Sequence, residues 1–202
     1  MKKIHVKVKY IEEVLGTSAA DSELHSRFIA SKASDAPKIE EEVDALGAAE
    51  IVERGMTVFP RFEDGTPFAW DYQWKGFFKE SCKMLIMGTG YKSKDLKSSY
   101  KKKIDGLVFV EPRKIPYVLP DGEEIGDCQR PLRAETPKGE RIALAHSETV
   151  PAGTTQEFDV MIMNDSYVKY VEEWLEYGQY HGTMQWRNSG KGRFVVEEFT
   201  VL

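Results

Sequence analysis

Cysteine, histidine and long apolar runs are all scarce in this chain. Its two cysteines, Cys82 and Cys128, lie far apart with no Cys-x-x-Cys spacing and no nearby histidine pair. That excludes a zinc knuckle and a disulfide framework, and fits a reducing, cytoplasmic setting. No stretch approaches the roughly 20 apolar residues that a membrane-spanning helix needs. The start, Met1-Lys2-Lys3-Ile4-His5-Val6-Lys7, alternates charged with apolar residues and reads as a strand, not a signal peptide. Neither sign of charge dominates: 28 Lys+Arg stand against 33 Asp+Glu, a formal net charge of -5. A uniformly basic nucleic-acid coat is excluded, so the placement of the cations matters more than their sum. Gly-x-Ser-x-Gly, His-Glu-x-x-His and Gly-x-x-x-x-Gly-Lys-Ser/Thr are also missing, which removes the most recognisable hydrolase, metalloprotease and NTPase motifs. The expectation is a protein that binds without catalysing, and without a cofactor or metal.

What is present suits one compact domain with a sizeable core: 202 residues, 41% hydrophobic, 11% aromatic and 30% charged. From Lys2 to Ile11 the period is two. Ile4, Val6, Val8 and Tyr10 face one way, and Lys3, His5, Lys7 and Lys9 the other, giving a half-buried strand with a basic face. Amphipathic stretches around Leu24, Phe28 and Ile29, and around Ile39, Val43 and Leu46, predict short helices. Residues 56–70 predict a β-hairpin about the turn Glu63-Asp64-Gly65. From Tyr72 to Met87, the spacing of Trp74, Phe77, Phe78, Cys82 and Leu85 predicts a helix with that stripe in the core. The lysine-rich segment Gly88 to Lys103 reads as an exposed connection, whose Lys92 to Lys103 stretch either wraps a nucleic acid or stays a solvated loop, and Leu107 to Val110 reads as a buried strand. Glu111 to Pro151, rich in proline and glycine, predicts a long β-hairpin excursion.

Gln156 to Met163 alternates like the first strand. Asn164-Asp165-Ser166 offers N-cap oxygens to a helix striped with Tyr167, Tyr170, Val171, Trp174 and Leu175, which Gly178 can end. A glycine-bearing loop, Gly182 to Phe194, and a terminal strand follow. The expected fold is therefore α+β, a ferredoxin-like (RRM-like) βαββαβ core with inserted β-hairpins and short helices. It forms one domain over 1–202, with insertions at about 12–71, 88–105 and 111–151.

The loop carries the most chemistry. Gly182, Gly190 and Gly192 permit close backbone approach to phosphate and an anion-binding nest, while Arg187, Lys191 and Arg193 supply charge. Trp186 can stack on a base or plug the core beneath the loop. An ordinary helix-to-strand connection explains the same residues. On the first strand, Lys7 and Lys9 either face phosphates or pair across strands with Glu157 and Asp159. His5, His25, His146 and His181 are scattered in sequence. His181 adjoins the loop, where it can bind phosphate, act as a base or simply finish the helix.

The loop and its terminal strand resemble the signature glycine-rich loop of the repeat-associated mysterious protein (RAMP) superfamily, the ferredoxin-like RNA-binding subunits of CRISPR effector complexes. Trp70-Asp71-Tyr72-Gln73-Trp74-Lys75-Gly76-Phe77-Phe78-Lys79 is similar to the family segment in which a Lys-Gly pair opens the first core helix. The family loop usually starts Gly-x-Gly, where this chain has Gly182-Thr183-Met184. The resemblance, nearest to compact phage-borne backbone-like subunits, implies a protein that grips single-stranded RNA, typically a guide. Such a protein stacks head to tail with copies of itself or with other effector subunits. RNA contacts are expected from Lys3, His5, Lys7, Lys75, His181, Trp186, Arg187, Asn188, Lys191 and Arg193, with Gly182, Gly190 and Gly192 shaping the phosphate loop. Some family members cut RNA with a loop aspartate. Asp35 and Asp44 lie in no matching motif, so cleavage is not expected. The alternatives are a phage counter-defence protein that sequesters a nucleotide signal or blocks a host complex, and a protein-docking module.

Overall fold

The computed structural model describes residues 1–19, 56–136 and 139–202. The helices expected near Leu24 and Ile39, together with His25, Asp35 and Asp44, lie outside the described residues. The chain divides into two compact units, residues 1–14, 60–124 and 150–202 in one, and 15–59 and 125–149 in the other. The described residues are mixed α+β.

Strands β1 (Lys2–Tyr10), β2 (Val14–Leu15) and β3 (Ser18–Ala19) open the chain; β4 (Thr57–Val58) and β5 (Phe68–Trp70) precede helix α1 (Asp71–Met87). A 3-10 segment, Lys92–Ser99, leads into α2 (Tyr100–Leu107), followed by β6 (Val108–Glu111), β7 (Lys114–Pro116), β8 (Gly126–Thr136), β9 (Gly139–Val150) and β10 (Thr155–Ile162). Helix α3 (Val168–His181) and β11 (Phe194–Val201) finish it.

The first unit is built on a four-stranded antiparallel sheet ordered β11-β1-β10-β6. Alternation makes it one-sided: Ile4, Val6, Val8 and Tyr10 of β1 and Phe158, Val160 and Ile162 of β10 are buried, facing α1 and α3. The α1 stripe packs as its spacing predicts, with Trp74, Phe77, Phe78, Cys82 and Leu85 all buried. Its ring system is close-packed, Trp74 lying 4.4 Å from Phe158 and 5.3 Å from Phe194 between centroids. Burying each such ring contributes about 1.5–3 kcal/mol. Gln156 is the polar centre: its Oε1 accepts from Tyr10 (2.9 Å) and Trp74 (3.2 Å), and its Nε2 donates to the Ile115 carbonyl (3.0 Å). Each of these buried groups is thereby satisfied.

The helix starts follow local chemistry. The Gln73 carboxamide accepts the Trp70 N–H at 2.8 Å, closing the start of α1, and Asp71 sits at the positive end of its dipole. Asn164 Oδ1 accepts the Ser166 N–H at 3.0 Å in the turn entering α3.

Four local expectations need correction. The lysine-rich segment is helical, because Glu173 of α3 accepts the N–H groups of Lys92 (2.6 Å) and Ser93 (2.9 Å), and Leu96 and Ile104 are buried beneath it. Helix α3 runs past Gly178 to His181, since Gly178 lies under the Phe194 ring and Gly182, at φ +75°, makes the turn instead. The turn at Glu63-Asp64-Gly65 forms, with Phe62 and Thr66 paired across it. However, Thr57–Val58 pairs with Ser18–Ala19 and Phe68–Trp70 with β7, so the flanks enter different sheets. Strand β6 is an edge, and its Phe109 remains 38% exposed.

In the second unit, β8 and β9 form the long antiparallel hairpin, in register from Gly126↔Thr149 to Thr136↔Gly139. Strand β4 joins β9 in parallel at Thr57↔Ser147.

Candidate nucleic-acid interface

The open face of the four-stranded sheet gathers the basic residues of β1, and register decides what they meet. His5 lies opposite Asp159 and Lys7 opposite Glu157 on β10, while Lys7 faces Glu198 on β11. Lys3 Nζ is 2.7 Å and His5 Nδ1 3.0 Å from Asp159, and Lys7 Nζ is 3.3 Å from Glu157. A bulge after Lys7 brings in Glu197, 3.9 Å from Lys7 and 3.8 Å from Lys9. Glu111 pairs with Asp159 in register, so it shares this face. Three lysines and a histidine therefore stand among five carboxylates, and the face has no positive excess. Burial works to raise the Asp159 pKa, but the hydrogen bonds and charges of Lys3 and His5 outweigh it and hold the carboxyl below its ordinary value.

The glycine loop begins where α3 ends. Thr183 N–H bonds the Gly192 carbonyl at 2.8 Å, zipping the two ends of the loop together. A Cβ on Gly182 would lie 2.3 Å from the Lys191 carbonyl oxygen, and one on Gly192 2.2 Å from that of Thr183. These two glycines are thus required by the approach of the loop's own backbone. Gly190, at φ +84°, ends the short 3-10 turn Arg187–Ser189. The N–H groups of Ser189 and Lys191 bond the Trp186 carbonyl, that of Gly190 the Arg187 carbonyl, and that of Gly192 the Glu13 carbonyl. Those amides are spent within the chain and do not form an open nest.

The loop's side chains are placed by carboxylates that sequence alone does not single out. Glu80 of α1 uses one oxygen for His181 (3.1 Å) and the other for Arg187 (2.6 Å), and His181 stacks on Tyr177. Lys191 pairs with Glu13. Arg193 lies against Gly190, and its Nε is buried with no hydrogen-bond partner among the described residues. Trp186 is half-buried at φ +59°, and Asn188 is exposed. Lys75 precedes Glu80 on α1 and places its ammonium on the Asp105 carbonyl (2.8 Å) and over the Phe109 ring (4.6 Å). Desolvation lowers its pKa from the ordinary lysine value, against the pull of Asp105. His181, Arg187, Lys191 and Arg193 thus converge at one end of the unit. Lys3, His5 and Lys7 lie on the sheet face, and Lys75 lies by the β6 edge.

No hydrolytic dyad forms between His146 and Ser147. They are neighbours on β9, and Ser147 is buried on Thr57 (2.7 Å) while His146 pairs with Asp127. Among the described residues no cluster of three His, Cys, Asp or Glu side chains could hold a metal, and no helix is long and apolar enough to cross a membrane.

No family model and no curated protein matches the sequence. Solved structures do. The chain superposes over its whole length on a chain of the cryo-EM structure of the Type III-B Cmr-beta bound to cognate target RNA, with a TM-score of 0.58 and 8% identity. It spans 60% of that chain. A chain of a Type IV-B CRISPR complex matches 98% of this one at 12% identity, with a TM-score of 0.49 and 90% of its own length covered. The first likeness shows a fold shared with that chain of the Cmr-beta structure.

Proposed function

We propose that this chain is a RAMP-type subunit with a ferredoxin-like core, which binds single-stranded RNA without cutting it and assembles with copies of itself or with other effector subunits. The observation that carries the reading is the full-length likeness in fold to a chain of an RNA-bound Cmr-beta complex. The sheet order β11-β1-β10-β6 supports it. Counting only the strands of the βαββαβ series, this is 4-1-3-2, all antiparallel, with helices on one face.

In this reading the Gly182–Phe194 loop, with Trp186 and Asn188 at its surface, meets the RNA, and Lys75 contacts it separately near the β6 edge. Arg187 and Lys191 exchange Glu80 and Glu13 for phosphate, and Lys3, His5 and Lys7 exchange Asp159 and Glu157. Such exchanges are feasible because part-exposed ion pairs are each worth only about 0–1 kcal/mol. Affinity then comes from phosphate contacts and stacking in place of base-specific bonds. Head-to-tail assembly requires two different complementary surfaces on each copy. The β8–β9 hairpin and the turn at Phe62–Thr66 are the arms we assign to it.

The test is to purify the protein from expressing cells, measure particle mass by light scattering, and extract and sequence any nucleic acid. A large particle with RNA of defined length is the expected result. A nucleic-acid-free monomer that stays monomeric when RNA is added would overturn the proposal.

A further inference from the structure

Positive charge is segregated on this molecule. The sheet face has no excess, and the cations Arg187 and Lys191 of the glycine loop are paired to the chain's own carboxylates. The segment 92–103 differs, holding six lysines against a single acid, Asp95. Asp95 is itself engaged by Lys169 at 3.3 Å. Two of the lysines are also used: Lys92 lies 3.8 Å from Glu172, and Lys103 donates to the Leu96 carbonyl at 3.2 Å. Lys94, Lys97, Lys101 and Lys102 are exposed, and no carboxylate among the described residues pairs with them.

This is a fixed surface. Buried Glu173 clamps its first turn through the N–H groups of Lys92 and Ser93, and the Ser93 hydroxyl accepts from Trp174 at 3.0 Å. Leu96 and Ile104 anchor it in the core on either side of Lys97. Lys97 itself takes φ 52°, a conformation costly for a residue with a side chain, at a kink within the 3-10 segment. Nothing in the fold requires lysine at these four places: all four are exposed, and at the helical positions glutamine or glutamate forms helix about as well. Mutually repelling ammonium groups on a rigid support, without internal counter-ions, match a polyanion.

We propose that Lys94, Lys97, Lys101 and Lys102 form a ridge that binds the phosphate backbone of single-stranded RNA, separate from the glycine loop. The ridge rests on the RNA-binding reading above and gives it a sequence-independent electrostatic component. Its cations need release no partner before they meet phosphate. It therefore sets the salt dependence of binding, each single-strand phosphate contact adding about 0.7 to the slope of log K against log salt.

The test is fluorescence anisotropy of a labelled oligouridylate with the full-length, nucleic-acid-stripped protein across a salt series, against K94Q/K97Q/K101Q/K102Q. The slope should become shallower by about 3, so that a fourfold rise in salt costs the wild type about fifty-fold more affinity than the variant. Unchanged circular dichroism checks the fold. If the fourfold variant does not fold, K101Q/K102Q should still remove about 1.4 from the slope. A folded variant with the wild-type slope and affinity would overturn the ridge while leaving RNA binding elsewhere intact. A wild type that binds no oligouridylate, or binds polyglutamate equally well, would overturn both the ridge and the RNA reading.

Discussion

Replacing Gly178 by alanine sets two effects of opposite sign against each other, and the structure says which wins. In a helix interior the change should stabilise by about 1 kcal/mol. Here the added Cβ would lie 2.1 Å from Phe194 Cζ and 2.4 Å from Cε1. Carbon atoms rest at about 3.5–4.0 Å, so the ring must retreat by about 1.5 Å. Trp74, Phe77 and Tyr10, with centroids 5.3, 5.4 and 6.0 Å away, occupy the space into which it would move. Overpacking of this kind costs about 1–3 kcal/mol, and the crowded ring cluster puts the site at the upper end. The net expectation is a loss of about 1–2 kcal/mol, with the melting temperature falling about 2–4 °C for each. Urea unfolding followed by tryptophan fluorescence measures it. In a Phe194→Leu background the obstacle is gone, and Gly178→Ala should be neutral or stabilising, a coupling of about 2 kcal/mol. A single Gly178→Ala variant more stable than wild type would refute the packing described for α3 and β11.

Asp159→Asn should destabilise the protein at neutral pH by a constant margin. A carboxyl held below its ordinary value of 3.8 contributes stability above that value and loses it as pH falls through the lowered one, so the gap to wild type should close in acid. Urea midpoints along a pH series measure this, and a gap that widens below pH 4 would contradict the Lys3–Asp159–His5 cluster. The two thiols should differ, since Cys82 is fully buried, with its pKa pushed up to about 12 by burial, while Cys128 is half-buried. A thiol reagent at mild alkaline pH should titrate one cysteine in the native protein and two in urea; equal native rates would place Cys82 wrongly.

Periodicity made the core legible. The i, i+3, i+4, i+8, i+11 stripe from Trp74 to Leu85 and the alternation in β1 and β10 are local patterns, and burial follows them residue for residue. What sequence could not reveal depends on partners far along the chain. The 92–107 helices depend on Glu173, about eighty residues away, and the run of Gly178 through α3 depends on Phe194. The interface suffered most from this. The basic face of β1 is visible in ten residues, but its neutralisation needs the register with β10 and the bulge that delivers Glu197. Glu80 and Glu13, which tether His181, Arg187 and Lys191, carry no motif and are recognised only once α1 and the loop lie side by side. Conversely, the lysines from 94 to 102 left a nucleic-acid contact and a solvated loop both open in sequence, and the anchoring of their support by Glu173, Leu96 and Ile104 favours the former.

Much of the cationic charge among the described residues is paired internally, so the proposed RNA binding must draw on unpaired lysines, stacking and exchange of weak ion pairs. The most direct test is a competition between a labelled single-stranded RNA and an unlabelled duplex of the same length, with purified protein at low salt. Tight binding of the single strand, steep loss with salt and little displacement by duplex are the expected results. No binding of the single strand, or duplex competing as an equal, would contradict it.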